Sequence, residues 1–303
     1  MNKNIFCVDI GGAKLICGAL TPQGEIVDII RAEYPKDYTI DTITGLIFEG
    51  YQKLKGYDFC ACGVAVPGLC DYKSGKWLYS PFSGLGDIPI TEIISDMTGL
   101  PTFADNDVNI SAMAERYFGV CQDIDDFLWI TVSNGIGGGL YLGGDIYRGQ
   151  GLSAGEIGHF IVEENGRKCG CGNKGCLEAH ASGASIAAIY NERTSKNLAA
   201  KEIAELARDG DKTALAVWQE AGAYIGKAVA YSVNLLNINT VVLGGGAAEA
   251  FDLLEPAVTR SLNDNLFKKA NPSVKVLHSK PGKYAALMGC AALVIDNQKE
   301  KNL

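Results

Sequence analysis

The strongest chemical signal in the sequence is a set of metal-binding side chains in one glycine-rich stretch. His159, Cys169, Cys171 and Cys176 follow the spacing H-x9-C-x-C-x4-C. Thiolates and a neutral imidazole are the usual ligands of a structural zinc ion, which four such groups enclose in a tetrahedron. Glycines beside the cysteines let the backbone turn sharply, so the side chains can converge. The sequence predicts a closed zinc site that leaves no coordination position for water.

Two other interpretations of these cysteines stay open at the level of the sequence. A C-x-C pair is tighter than the roughly two to four residues that usually separate zinc ligands, so the four residues could be unconnected. Cys169 and Cys176 could also form a disulfide, although disulfides are rare in a reducing cytosol. The other cysteines are scattered, mostly in apolar segments, and we interpret them as small buried side chains.

A second candidate is the run DNDVN at residues 105–109, between a short apolar strand and a helix expected to run to about residue 118. Phosphoryl transfer needs a base that takes the proton of the attacking hydroxyl. The N-terminal end of a helix favours negative charge. Asp and Asn are also ordinary helix caps, but capping explains one of these residues rather than all of them.

Three glycine turns that follow apolar strands offer backbone N–H groups to a phosphate. They contain Gly11-Gly12, Gly135 to Gly139, and Gly244 to Gly246. None has the P-loop pattern, which excludes the common NTPase fold. None is a G-x-G-x-x-G run with an acidic residue about 20 positions on, which disfavours a dinucleotide fold. The turns instead favour a nucleotide held between two domains.

The pattern of strands around the first two glycine turns repeats. Residues 5–27 and 127–149 each contain an apolar strand, a polar residue, a glycine turn, a second strand and a turn into a third. Such a repeat predicts two α/β domains with similar sheets.

Composition and charge argue against several classes of partner. The chain has 303 residues, of which 47% are hydrophobic and 20% charged, as in a globular protein of one or two domains. With 27 basic and 35 acidic side chains the net charge is −8, which argues against nucleic acid or anionic lipid. No apolar run reaches the roughly 18 residues of a membrane span, and the N-terminus has no signal-peptide pattern. We therefore expect a cytoplasmic protein that binds neither nucleic acid nor membrane.

Several motifs along nearly the whole chain occur together in one protein family. They are DIGGAK at 9–14, GVAVPG at 63–68, DNDVN at 105–109, SNGIGGGL at 133–140, GLSAGEIGHF at 151–160, CGCGNKGCLE at 169–178, VVLGGG at 241–246 and ALMGCAAL at 286–293. On these motifs the sequence resembles the ROK family (repressors, open reading frames and kinases), within the actin-like ATPase or hexokinase-type superfamily.

The resemblance implies a two-domain α/β protein with the actin-like ATPase (ribonuclease H-like) fold. Residues 1–118 would form the small domain, which the C-terminal helix at about 283–303 rejoins. Residues 119–282 would form the larger domain, which contains the zinc-binding loop. Sugar and ATP are then expected to meet in the cleft between these domains.

The resemblance also implies an activity, which is ATP-dependent phosphorylation of a hexose. The first candidate is glucose, phosphorylated at its 6-hydroxyl. N-acetylmannosamine and fructose stay open as substrates, and a non-catalytic sugar-binding regulator stays open as another function. Repressors of the family carry an additional N-terminal DNA-binding domain, whereas the first strand here begins near residue 4. The implied cofactors are ATP with Mg²⁺ and a structural Zn²⁺, and the implied assembly is a homodimer.

Individual residues receive roles from the resemblance. Asp107 is expected to be the catalytic base, whereas Asp105 receives no role. Glu156 and Glu178 flank the zinc ligands and are suited to accept hydrogen bonds from sugar hydroxyls. The implied sugar ligands are Gly68, Asn106, Asp107, Glu156, His159 and Glu178. The implied ATP-binding residues are Asp9, Gly11, Gly12, Lys14, Gly135, Gly137, Gly138, Gly244 and Gly245, with Asp9 near the magnesium.

Two positions depart from the family pattern. Ala13 stands where the first glycine turn usually has a threonine, so a hydroxyl is lost beside Lys14. The loop at residues 80–89 lacks the Asn and the Gly-Trp pair that many family kinases carry. These departures leave open the strength of ATP binding and the identity of the sugar.

Overall fold

The computed structural model describes residues 3–81 and 83–300. Its chain divides into two compact units. The first unit comprises Met1–Ile124, Arg148–Ser153 and Tyr284–Leu303, and the second comprises Asp125–Tyr147 and Ala154–Lys283. The boundary expected between residues 118 and 119 stays a prediction. Residues 301–303 of the expected C-terminal helix, and Phe82 of the divergent loop, lie outside the described residues.

Both units contain strands as well as helices. The strands are β1 (Asn4–Ile10), β2 (Lys14–Leu20), β3 (Ile26–Glu33), β4 (Phe59–Val66), β5 (Leu69–Asp71), β6 (Lys76–Tyr79), β7 (Thr102–Asn106), β8 (Phe127–Val132), β9 (Ile136–Leu142), β10 (Asp145–Ile146), β11 (Thr240–Gly244) and β12 (Lys275–His278). The helices are α1 (Ile40–Leu54), α2 (Ile90–Thr98), α3 (Asp107–Phe118), α4 (Leu177–Ala181), α5 (Gly183–Thr194), α6 (Ala200–Arg208), α7 (Lys212–Leu236), α8 (Phe251–Asn265) and α9 (Ala285–Glu300).

The main sheet of the first unit has the order β3-β2-β1-β4-β7. Strands β1 to β3 form an antiparallel meander, whereas β4 pairs parallel to β1 and β7 pairs parallel to β4. Strand β1 is almost continuously apolar and buried, as expected of a central strand covered on both faces. The strand ends of β1 and β7 carry the polar candidates Asp9 and Asn106.

The sheet of the second unit repeats this arrangement with the order β10-β9-β8-β11-β12. Strands β8 to β10 are antiparallel, and β11 and β12 continue the sheet in parallel to β8. The repeat predicted from residues 5–27 and 127–149 is thereby confirmed. Gly11-Gly12 and Gly135 connect the first two strands of the two meanders, whereas Gly137 to Gly139 of the expected turn lie within β9. Gly244 is the last residue of β11, and Gly245-Gly246 follow it.

Glycines allow α9 to pack closely in the first unit. A Cβ on Gly289 would lie 1.9 Å from the carbonyl oxygen of Ile110 in α3, and one on Gly63 would lie 2.2 Å from the carbonyl oxygen of Cys290. No side chain fits at either position without displacing backbone. Helix α9 is therefore fixed against both α3, which begins at the candidate base, and strand β4.

The second unit has a helical core around α7. Trp218 and Tyr190 are almost fully buried in it, together with the apolar face of β8 and β11. The helical region expected at 184–237 is divided into α5, α6 and α7, because Ser195 is left-handed and Asp211 caps a new helix. All cysteines are free, and those outside the zinc-ligand set are buried except for the partly exposed Cys60. Among the described helices, none is both long and apolar enough to cross a bilayer.

Candidate functional site

The junction between β7 and α3 positions the candidate base. Asn106 is the N-cap of α3, and its Oδ1 accepts hydrogen bonds from the backbone N–H groups of Val108 (2.9 Å) and Asn109 (3.1 Å). Its Nδ2 donates to the carbonyl oxygen of Gly68 (2.8 Å) and to Oδ1 of Asp107 (3.0 Å). The capping role considered for the DNDVN run therefore falls on Asn106, which also orients the next carboxylate.

Asp107 is a half-buried carboxylate at the first position of α3. Its Oδ1 also accepts a hydrogen bond from the backbone N–H of Val108 at 3.0 Å. Burial, followed by the negative charge of Asp9, raises the pKa of Asp107 to about 7, although the hydrogen bonds act in the opposite direction. A general base is most effective when its pKa lies near the working pH. The electrostatics of this position therefore suit proton transfer.

Asp9 lies near the end of β1, beside the first glycine turn. Burial raises the pKa of Asp9 to about 6, and the charge of Lys14 partly offsets this. The backbone N–H of Gly11 donates a hydrogen bond to the carbonyl oxygen of Lys14 at 2.9 Å. The hydroxyl of Tyr38 donates one to the carbonyl oxygen of Gly12 at 3.2 Å. A half-buried carboxylate next to a shaped backbone turn has the donor chemistry that a hard cation such as Mg²⁺ prefers.

Asp105, to which the sequence assigned no role in the chemistry, is held in a buried ion pair. Its side chain is 1% exposed and forms an ion pair with Arg148 at 2.8 Å, across 43 positions of the chain. The guanidinium of Arg148 lies 3.8 Å from the centre of the Tyr72 ring. Sequence reasoning missed Arg148 and Tyr72, because neither residue stands in a motif with the carboxylate that it supports.

The four predicted zinc ligands converge in the second unit. Their ligand atoms all lie within 4.8 Å of one another. Sγ of Cys171 lies 3.6 Å from Sγ of Cys176, and Sγ of Cys169 lies 3.8 Å from Nδ1 of His159. A zinc–sulfur bond of about 2.3 Å gives a tetrahedron edge of about 3.8 Å. The set therefore fits a zinc ion, and neither a disulfide nor four unconnected residues describes it.

A tight hairpin brings the cysteines together. The backbone N–H of Cys169 donates to the carbonyl oxygen of Asn173 at 2.8 Å, and that of Gly175 donates to Arg167 at 2.8 Å. Gly175 has a φ of +80°, and a Cβ there would lie 1.9 Å from the carbonyl oxygen of Glu163. Only glycine satisfies both conditions. Cys176 then caps the short helix α4, which carries Glu178.

His159 presents different neighbours to its two ring nitrogens. Nδ1 faces the cysteines, whereas Nε2 lies 3.7 Å from Oε2 of Glu156. The side chains of His159 and Glu156 are 37% and 63% exposed. A metal bound through Nδ1 would place the proton on Nε2. An exposed imidazole N–H and an exposed carboxylate then lie side by side, which suits recognition of neighbouring hydroxyls.

The GEIGH segment packs directly on the hairpin of the second glycine turn. A Cβ on Gly138 in β9 would lie 2.7 Å from the carbonyl oxygen of Gly155, and one on Gly158 would lie 2.0 Å from that of Ile136. A Cβ on Gly135 would lie 2.5 Å from Oε2 of Glu178. These glycines therefore serve close packing between the turn, the glutamates and the zinc cluster.

The third glycine turn follows β11. A Cβ on Gly244 would lie 2.5 Å from the indole of Trp129, and Gly245 has a φ of +91°. The residues predicted for ATP and sugar thus divide between the units. Asp9, Gly11, Gly12, Lys14, Gly68, Asn106 and Asp107 belong to the first unit, and Gly135, Gly137, Gly138, Glu156, His159, Glu178, Gly244 and Gly245 to the second. Their assignments as ligands stay predictions.

Comparison with known proteins identifies the fold and the family. The paired sheets of identical order belong to the actin-like ATPase fold, as in ROK glucokinases of known structure. The ROK family profile matches residues 5–297, and the chain belongs to the ROK family.

Relatives within the family include both kinases and regulators. A glucokinase from Halalkalibacterium halodurans is 34% identical over 271 residues, covering 82% of each protein. A xylose repressor from Bacillus subtilis is 30% identical over 298 residues, covering 96% of this chain and 76% of the repressor. The crystal structure of a ROK family glucokinase from Streptomyces griseus, in complex with glucose and AMPPNP, has a TM-score of 0.87 and 29% identity, covering 96% of this chain and 98% of that one.

Proposed function

We propose that the protein is an ATP-dependent sugar kinase that phosphorylates a hexose, with glucose at its 6-hydroxyl as the first candidate. The observation that carries this proposal is Asp107, a half-buried carboxylate oriented by Asn106, with its pKa raised to about 7. A protein that only binds sugar needs no base of this kind. The similarity to glucokinases at 34% and 29% identity supports the same activity.

In the proposed reaction, the sugar hydroxyl attacks the γ-phosphorus of ATP while Asp107 accepts the hydroxyl proton. A new bond forms between the sugar oxygen and phosphorus, the bond to the bridging β–γ oxygen breaks, and ADP leaves. Asn106 keeps the Asp107 carboxylate in place through its 3.0 Å hydrogen bond. Protonated Asp107 is then available to return its proton to solvent once the product has left.

The remaining predicted residues are assigned to binding. Glu156, His159 and Glu178, with Gly68 and Asn106, are proposed to contact the sugar. The glycine turns and Lys14 are proposed to contact ATP, and Asp9 to lie near its Mg²⁺, which would neutralise phosphate charge.

A zinc ion held by the cluster would be structural. It would be bound by His159, Cys169, Cys171 and Cys176, so it would have no open position for catalysis. Its contribution would be to fix the exposed imidazole and the hairpin that precedes Glu178.

We further propose a cytoplasmic homodimer, whose subunit number light scattering would measure.

The test is release of ADP with a panel of sugars that includes glucose, fructose and N-acetylmannosamine. We expect turnover with one of these hexoses, absence of turnover without sugar, and a sugar phosphate as product. Mass spectrometry and NMR of the product identify the sugar and the phosphorylated hydroxyl. ADP release that is independent of every sugar would contradict the proposal.

A second candidate is a sugar-binding regulator without catalysis, which the 30% identity to a xylose repressor favours. Asp107 and the three glycine turns argue for the kinase. Thermal unfolding with sugar alone separates the two, because a regulator is stabilised by its sugar and yet produces no ADP. A kinase shows both the stabilisation and the turnover.

A further inference from the structure

The strand end that carries the proposed base is held by a buried ion pair. Oδ2 of Asp105 accepts a hydrogen bond from Nε of Arg148 at 2.8 Å and lies 2.8 Å from Nη2 of the same guanidinium. Oδ1 of Asp105 accepts from the backbone N–H of Asn106 at 2.7 Å and from Nδ2 of Asn109 at 3.4 Å. Both oxygens of this buried carboxylate are therefore satisfied, as a charge removed from water requires.

Arg148 is fixed on its other side by an aromatic ring. Its side chain is 10% exposed, and its guanidinium lies 3.8 Å from the ring centre of Tyr72. Tyr72 belongs to the turn of the β5–β6 hairpin, which begins directly after Gly68. The carbonyl oxygen of Gly68 in turn accepts the hydrogen bond from Nδ2 of Asn106. The hairpin and the strand end are thus connected at two points, one of which is Arg148.

Stability alone does not account for a buried ion pair. Its desolvation cost is large, and apolar residues of similar volume often stabilise a fold as well or better. This pair, however, joins the backbone N–H of the helix cap to a guanidinium that is locked by stacking. The arrangement fits a demand for orientation at Asn106 and Asp107.

We propose that Asp105 and Arg148 are positioning residues of the phosphoryl-transfer site, and that Tyr72 holds Arg148 in place. The ion pair fixes the backbone at the end of β7 and so directs the carboxylate of Asp107 at its substrate. This inference rests on the proposed kinase function and goes beyond it, because it assigns a role to three residues that touch neither sugar nor ATP in that proposal.

The charges around the base make the pKa of Asp107 a test of the proposal, because loosened packing alone would not shift this pKa in a direction that depends on the charge removed. The charge of Asp9 on β1 acts on Asp107, and Lys14 on β2 acts on Asp9. Asp105 stands two positions before Asp107 in the sequence and pairs with Arg148. Loss of the Asp105 charge removes a negative charge two positions from Asp107, which should lower the pKa of Asp107. Loss of the Arg148 charge removes the cation that offsets the burial of Asp105, whose pKa burial already raises, and should raise the pKa of Asp107 as well. The two changes therefore act in opposite directions.

The experiment compares Asp105→Asn, Arg148→Met and the double variant in the zinc-loaded full chain, with the sugar that the wild type phosphorylates. We expect each single variant to lose about 10- to 100-fold in kcat, as for a misplaced catalytic group. The fall of kcat/KM at low pH, which is the acidic limb of the pH profile, should move to lower pH in Asp105→Asn and to higher pH in Arg148→Met. In the double variant the limb should return towards the wild type while kcat stays low.

Matched controls separate orientation from folding. Asp58→Asn removes the exposed ion pair with Lys3, whose side chains are 73% and 56% exposed, and should leave kcat and the pH profile unchanged. Tyr72→Phe keeps the stacking ring and should retain wild-type kcat, whereas Tyr72→Ser should lose activity in the same way as Arg148→Met. These Tyr72 variants test the proposal even if a buried charge change prevents folding.

The outcomes distinguish this inference from the function on which it rests. A wild type that phosphorylates no sugar overturns the proposed function, and this inference with it. An active wild type whose Asp105, Arg148 and Tyr72 variants keep wild-type kcat overturns the inference alone. The inference is also overturned if the acidic limb of the kcat/KM profile shifts in the same direction in Asp105→Asn and Arg148→Met, because such a shift indicates a general loss of structure.

Discussion

Oε2 of Glu178 accepts a 3.0 Å hydrogen bond from the backbone N–H of Ile136, in the second glycine turn. Oε1 of the same carboxylate lies 3.8 Å from Sγ of Cys169 in the predicted zinc cluster. One side chain therefore contacts both the turn that is proposed to hold phosphate and the loop that is proposed to hold sugar. The contribution of Glu178 to the turn and its contribution to the loop can be measured separately. The hydrogen bond to the turn needs only an acceptor oxygen, which a glutamine also has.

Glu178→Gln should separate the charge of this side chain from its hydrogen bond. The glutamine oxygen can still accept from Ile136, so the KM for ATP should stay near the wild-type value. Glu178→Ala removes the acceptor and should raise the KM for both ATP and sugar, because the turn loses its support. Steady-state kinetics with each substrate varied in turn measures both effects. Equal ATP KM values in the two variants would show that the hydrogen bond does not shape the turn.

Cys171→Ser should remove the metal and weaken sugar binding. Cys171 is exposed, so the substitution itself disturbs little packing. Without zinc, the hairpin and His159 lose their common anchor, and the KM for sugar should rise by about tenfold with a smaller change for ATP. Elemental analysis measures the zinc content, and Cys60→Ser, outside the cluster, is the control. A purified wild type that contains no zinc would refute the predicted site.

Asp107→Asn should abolish most of the turnover while leaving sugar binding intact. Asparagine has nearly the same shape and can keep the hydrogen bond from Val108, but it cannot take a proton. Loss of a general base typically costs about 10²–10⁴-fold in kcat. Calorimetry should show that sugar affinity changes little, because the other proposed ligands remain. Asp58→Asn, which removes only an exposed ion pair, is the control, because Asp105 is itself held in a buried ion pair.

The pH dependence of the wild type should report the same residue. Asp107 must be deprotonated to act as a base, and its pKa is raised to about 7. The value of kcat/KM should therefore fall as the pH drops below about 7, and this acidic limb should be absent from the residual activity of Asp107→Asn. An acidic limb near the ordinary pKa of an aspartate would contradict the burial that the structure shows.

The same pKa predicts a cost in stability. Because the folded-state pKa of about 7 lies above the ordinary aspartate value of 3.8, the folded state binds more protons than the unfolded state between these two pH values. Stability contributed by protonated Asp107 is therefore lost as the pH rises towards 7. Asp107→Asn should raise the Tm at pH 8 by at least about 2 °C, and the difference should shrink at pH 5. Calorimetric scans at both pH values check this.

The sequence by itself determined those features whose physics is local. The apolar strands and glycine turns of residues 5–27 and 127–149 predicted two similar sheets, because strand periodicity and glycine turns are written in short segments. The cysteine and histidine spacing predicted the metal cluster for the same reason, since a short hairpin brings the cysteines together and His159 precedes the first of them by ten residues. The residue types in the DNDVN run predicted a capped helix that carries a carboxylate.

The tertiary structure alone decided which side chains support these features. Asp105 meets Arg148 across 43 positions, and Glu178 meets the N–H of Ile136 across 42. Neither pair belongs to one motif, because each depends on how distant segments pack within a unit. The structure likewise showed that Asn106, rather than either aspartate, caps α3. Burial and neighbouring charge also raise the pKa of Asp107, and these are properties of the folded surroundings that residue types alone do not contain.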